Sequence, residues 1–134
     1  MRKKPSPSPV ALLPPVVIGF TVAGNGNLSN IPTRFSVGSN EMVLWLVGNT
    51  SGHPVTVSLT NFLFNNSNAV QPFAWVLSDT LQLNDGHAGF IAGLKNPAYK
   101  QQGLIDPVKY TIHVQADDNG FTPQDYDPDG DIKP

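Results

Sequence analysis

The chain has no cysteine. Disulfide frameworks, thiol catalysis and thiolate-ligated metals are therefore excluded. Charge is scarce as well. Lys, Arg, Asp and Glu make up 13% of the 134 residues, about half the share of roughly 25% usual in soluble domains. The formal net charge is −2, so the chain carries no electrostatic footprint for a phosphate backbone, and nucleic acid is not an expected partner. Long hydrophobic runs are missing too. The longest, from Val10 to Val22, is broken by Pro14 and Pro15 and falls short of the roughly 20 residues that span a bilayer. A membrane is thus not expected either. Helical periodicity is also lacking, because 12 Gly and 13 Pro interrupt the chain too often for a helical bundle or coiled coil.

What remains is a chain of one-domain length in which 40% of residues are hydrophobic. That is enough to build a packed core. Residues 1–15 read as a Pro-rich arm. Arg2, Lys3 and Lys4 before an apolar stretch have the outline of a signal peptide, but Pro5, Pro7 and Pro9 stand where its apolar region would begin. The arm is the preferred reading, which leaves the compartment unassigned with a lean towards the cytoplasm.

Residues 16–116 alternate short β-prone runs with turn signals. Val16 to Val22 is the first run, closed by Gly24-Asn25-Gly26-Asn27. Met42 to Val47 is apolar at every position, the pattern of a central strand buried on both sides. Pro54 to Phe62 and Val108 to Ala116 alternate apolar and polar residues, the mark of half-buried strands. Thr33 to Val37, Phe73 to Leu77, Thr80 to Leu83 and His87 to Leu94 complete the set. This rhythm predicts an all-β fold, an antiparallel Greek-key sandwich of seven to eight strands. Residues 117–134 read as an acidic tail: six of the ten acidic residues lie between Asp117 and Asp131.

One stretch resembles a known family. Gly38 to Asn49 is a turn and an apolar strand holding Trp45, ended by an Asn, and Thr50-Ser51-Gly52-His53 leads into the alternating strand from Val55. This is similar to the middle of cupredoxin-like domains. Asp85-Gly86 with its apolar run, and Tyr110 to Val114, resemble the closing hairpin. The resemblance implies a cupredoxin-like sandwich and puts His53 where a first copper-ligand histidine would stand. It implies the fold without the copper site, since blue copper needs a Cys ligand and this chain has none. An immunoglobulin-like sandwich is the alternative.

Several residue sets are candidates for chemistry. Asp125-Tyr126-Asp127-Pro128-Asp129-Gly130-Asp131 matches D-x-D-x-D-G, the first half of a calcium loop. Alternate carboxylates Asp125, Asp127, Asp129 and Asp131 would converge on the cation, with Asp106, Asp117 or Asp118 as additional ligands. No Glu is available at the twelfth position. His53, His87 and His113 would form a zinc site only if the fold brought them together. Phe62, Phe64, Phe73 and Trp75 flank the polar segment Asn65 to Gln71. Phe64, Phe73 and Trp75 could stack on a sugar or anchor a protein if exposed; the alternative places Phe62, Phe73 and Trp75 in the core with Trp45. Hydrolase and phosphate-binding motifs are absent. The sequence therefore points to a non-catalytic module for protein interaction or self-assembly. A ligand-binding module, for calcium or carbohydrate, is the alternative.

Overall fold

A computed structural model of the chain describes residues 14–30, 34–38, 41–64, 72–101 and 103–134. Most of the Pro-rich arm and the segment 65–71 lie outside the described residues. Among the described residues ten strands form two sheets. One sheet has four strands in the order β1 (Val16–Val22), β3 (Met42–Asn49), β7 (Ala88–Lys95) and β5 (Phe73–Trp75). The other has six. Its main path runs β2 (Phe35–Val37), β10 (Asp129–Ile132), β8 (Asp106–Ala116), β4 (Val55–Phe64) and β6 (Thr80–Leu83), and β9 (Gln124–Tyr126) pairs with β8. All pairings are antiparallel except β1 with β3 and β10 with β2. These two arise because the N-terminal part of the chain changes sheets. The turn at Gly24–Gly26, with Asn25 at φ 62° and Gly26 at φ 80°, carries it out of β1 before β2 joins the opposite sheet.

The eight expected runs all appear as strands; β9 and β10 are additional. The expected boundary at Ala116 is therefore too early: the acidic segment belongs to the sandwich. β10 lies between β2 and β8, and Lys133 N–H donates to the Val37 carbonyl at 2.7 Å. Sequence pattern hid these strands because Asp and Gly are poor strand formers. Gln124, Tyr126, Pro128, Gly130 and Ile132 turn towards the interior, and the Asp residues between them turn out.

The core fills the space between the sheets. Trp45 is its centre, with ring centroids of Phe35, Phe73, Trp75 and Tyr110 within 5.7–6.0 Å. The buried indole N–H finds a partner, as it must in an apolar interior: Trp45 Nε1 donates to Tyr110 Oη at 3.1 Å. Burial pushes the Tyr110 hydroxyl up to about 12. Phe62 stacks on Tyr110 with centroids 5.3 Å apart. To reach this position Phe62 follows a bulge, where the β4–β8 register shifts after Thr60 and Asn61 takes φ 53°.

Candidate functional site

Alternation along the strands gives each sheet an inner and an outer face, and the two outer faces differ in chemistry. The six-stranded sheet is polar outside. Thr56 Oγ1 donates to Asp117 at 2.6 Å and Thr111 Oγ1 to Asp127 at 3.1 Å. His113 Nδ1 lies 2.6 Å from Asp125. Arg34 donates through Nε and Nη2 to the two oxygens of Asp131 at 2.7 and 2.5 Å and sits 3.6 Å from Asp129. The guanidinium holds the Asp131 carboxyl below the usual carboxylate range.

These contacts locate the candidate calcium ligands. Asp125, Asp127, Asp129 and Asp131 are strung along β9, the turn after it and β10, and each engages a neighbour on its own sheet. Among the described residues no three His, Asp or Glu side chains gather as a cation would require. The glycine of the D-x-D-x-D-G pattern has a different task here. Gly130 is extended and pairs with Phe35 across β2; a Cβ there would lie 2.2 Å from the Phe35 ring. It makes room for a core aromatic on the inner face.

The three histidines are likewise apart. His113 is on the outer face of β8. His53 Nδ1 meets Asp118 at 3.0 Å, which lowers the Asp118 carboxyl below its ordinary value. The His53 ring packs edge-on against Phe121 and so close to Gly120 that a Cβ would lie 2.2 Å from it. His87 lines an open groove of about 530 Å³ with Gln82, Asn84, Ala88 and Asp117. The segment that carries the cupredoxin resemblance is a turn staple. Buried Asn49 donates from Nδ2 to the carbonyls of His53 and Leu83 at 2.7 and 3.1 Å. Its Oδ1 accepts from Ser51 N–H at 3.0 Å and Ser51 Oγ at 2.7 Å. All the polar atoms of this buried side chain are thereby satisfied.

The expected aromatic contact set also changes. Phe73 is 2% exposed and belongs to the core, because its position on β5 points it at Trp45. Trp75 is half-buried against Trp45 and Phe62. Neither forms an exposed platform. The Phe64 side chain lies outside the described residues.

Exposed apolar surface on a strand face collects on the outer side of the four-stranded sheet; Leu77, Leu104 and Ile105 are exposed in the connections. On β3 the inward residues Val43, Trp45 and Val47 are buried, and Met42, Leu44, Leu46 and Gly48 point outward. Val17 and Gly19 of β1 face the same way, as do Ala88, Phe90, Ala92 and Leu94 of β7. Ala74 of β5 completes the sheet, and Val76 extends it through its N–H bond to the Ala92 carbonyl at 3.0 Å. No outward position of these four strands is ionisable. Val17, Leu46 and Phe90 are 53%, 43% and 49% exposed. Leu46 pairs with Gly19 on one side and Phe90 on the other, so the three lie in one row across the sheet. The apolar run Met42 to Val47 is therefore buried on one side only, contrary to its pattern. Sequence reasoning held the signal, a strand apolar on both faces, and misplaced its outcome. Among the described residues no second layer covers this sheet.

Neither a described protein family nor a curated protein matches the sequence. Solved structures do resemble the fold. The CupB2 chaperone of Pseudomonas aeruginosa superposes with a TM-score of 0.59 at 15% identity, over 76% of this chain and 53% of that one. The CsuC–CsuE chaperone–tip adhesion subunit pre-assembly complex of the archaic chaperone-usher Csu pili of Acinetobacter baumannii gives 0.57 at 10% identity, over 75% and 48%. The chain thus spans about half the length of the structures it matches. At these identities the likeness concerns the fold alone, and it supports the immunoglobulin-like sandwich. The cupredoxin-like refinement gains no support from it.

Proposed function

We propose that this chain is a non-catalytic protein-interaction module whose docking surface is the outer face of the four-stranded sheet. The observation that carries this reading is the uncharged face itself, with Val17, Leu46 and Phe90 about half exposed in one neighbourhood. Contiguous apolar surface of several hundred Å² on a soluble fold marks an interaction site. On the polar face opposite, Asp117, Asp125, Asp127 and Asp131 have close partners, and Asp129 keeps one buried oxygen without a hydrogen bond among the described residues. The fold comparison is in keeping with a protein partner: both similar structures contain chaperones, and one of them is a complex with an adhesion subunit. The test is capture with two baits. Phe90→Glu places a charge in the face, and Thr56→Val removes a polar group from the opposite one. Proteins held by the wild type and by Thr56→Val, and lost with Phe90→Glu, are the expected result. Equal capture by Phe90→Glu contradicts the reading.

A further inference from the structure

We infer that the occupant of this face is a second copy of the same chain, paired sheet against sheet about a two-fold axis. The inference rests on the docking surface proposed above and adds its partner. Strands that are apolar on both sides belong in sheets covered on both sides; here the sandwich covers one side, and the other awaits a layer of the same character. A partner for this face needs no charge, since no outward side chain of β1, β3, β5 or β7 is ionisable. It does need a flat apolar surface of matching size, and the chain itself presents one.

The chain's own remaining segments are poor covers. Residues 1–13 hold one apolar run, Val10 to Leu13, about 13 Å when extended. The segment 65–71 is Gln71 preceded by Asn65, Asn66, Ser67, Asn68, Ala69 and Val70, too polar for the purpose. Three strands of seven or eight residues and the three-residue β5 make a face of roughly 400 Å². Two such faces together bury about 800 Å², below the standard size of a specific interface, which implies a weak and reversible dimer.

The relief of the face is self-complementary. Leu46 and Phe90 are adjacent in register and form a ridge, with Gly19 beside Leu46 in the same row. Thr21, Gly48 and Ala88 form the next row, with the Thr21 side chain standing beside Gly48. The space above Gly19 is open: a Cβ there would meet nothing within 4 Å. A two-fold axis near the ridge sets each copy's Leu46 and Phe90 over the other's Gly19 and Ala88. Sheets packed in this way lie about 10 Å apart.

Sedimentation equilibrium of the full chain from micromolar to millimolar concentration tests the pairing. The expected result is a monomer–dimer equilibrium that Phe90→Glu and Gly19→Arg each weaken by about a hundredfold or more, because either buries an unpaired charge. Both sites are open in the single copy, so both variants should melt as the wild-type monomer does. Gly19→Arg keeps the test valid should Phe90→Glu disturb the fold. A wild type that is monomeric throughout, or a dimer that survives both substitutions, overturns the inference. If the monomer result coincides with loss of captured proteins by Phe90→Glu, the docking surface stands and only its occupant was misassigned. A monomer whose Leu46 and Phe90 resist hydroxyl-radical labelling assigns the face to residues 1–13 and also overturns the pairing.

Discussion

On the six-stranded sheet the outward side chains engage one another: Thr56 with Asp117, Thr111 with Asp127, His113 with Asp125 and Arg34 with Asp131. On the four-stranded sheet the outward side chains are Leu44, Leu46, Phe90, Leu94 and their small neighbours, and the largest of them stand half in water. Both faces are made by the same alternation on the same kind of strand, and both rest on one core. Water and local hydrogen bonds satisfy the polar face in a single copy, apart from the buried Oδ1 of Asp129. The apolar face loses free energy for every Å² left in water, about 25 cal/mol. A sandwich with one face of each kind sets a surface satisfied by water opposite one that gains by being covered.

The contrast can be broken or sharpened by substitution. The largest effect is expected in the shared core. Trp45→Ala removes the ring at its centre and the hydrogen bond to Tyr110, and should cost about 3–5 kcal/mol in denaturant unfolding. A small loss there would mean that the two sheets do not share one core. Next comes Gly130→Ala. A methyl group would press on the Phe35 ring, and the overpacking should cost about 1–3 kcal/mol. If Gly130→Ala melts like the wild type, β10 is not seated between β2 and β8.

Smaller effects belong to the polar face. Arg34→Ala removes an exposed ion pair and should cost about 1 kcal/mol or less. The same pair gives a pH dependence. The Asp131 carboxyl, held by Arg34, and the Asp118 carboxyl, held by His53, both lie below the ordinary 3.8 in the folded state. Their contribution is present above that value and is lost as pH falls through the lowered one. The melting temperature should drop below about pH 4, and Arg34→Ala should flatten the part due to Asp131. An unchanged acid limb would show that the pair does not persist in solution. Smallest of all is Leu46→Lys at low protein concentration. Its side chain is 43% exposed, so the stability of the single copy should move by no more than about 0.5 kcal/mol. A large loss would mean that the apolar face is already covered within one chain.

Much of the fold was legible in the sequence. The alternation of Val55, Val57 and Leu59, and of Tyr110, Ile112 and Val114, located β4 and β8 and their inward residues. Turn residues marked the ends, with Gly52, Gly86 and Asn119 all at positive φ. The acidic strands were not legible. β9 and β10 are three and four residues long, and their outward Asp residues carry the look of a solvated tail or a cation loop. What holds them is long-range pairing with β8 and β2, which local pattern does not encode. For the aromatic set the core reading held and the contact reading failed, for a related reason. Phe73 and Trp75 flank a polar segment in sequence, but strand β5 aims both inward. The docking face was half legible: the run from Met42 to Val47 announced burial on both sides, and only the count of layers showed which side is left open.

Hydroxyl-radical footprinting of the full chain at rising protein concentration tests the central claim most directly. Oxidation of Leu46 and Phe90 should fall as the faces come together, while His113 on the outer face of the six-stranded sheet keeps its labelling. Protection of the six-stranded sheet, with Leu46 and Phe90 unchanged, would contradict the assignment of the binding surface.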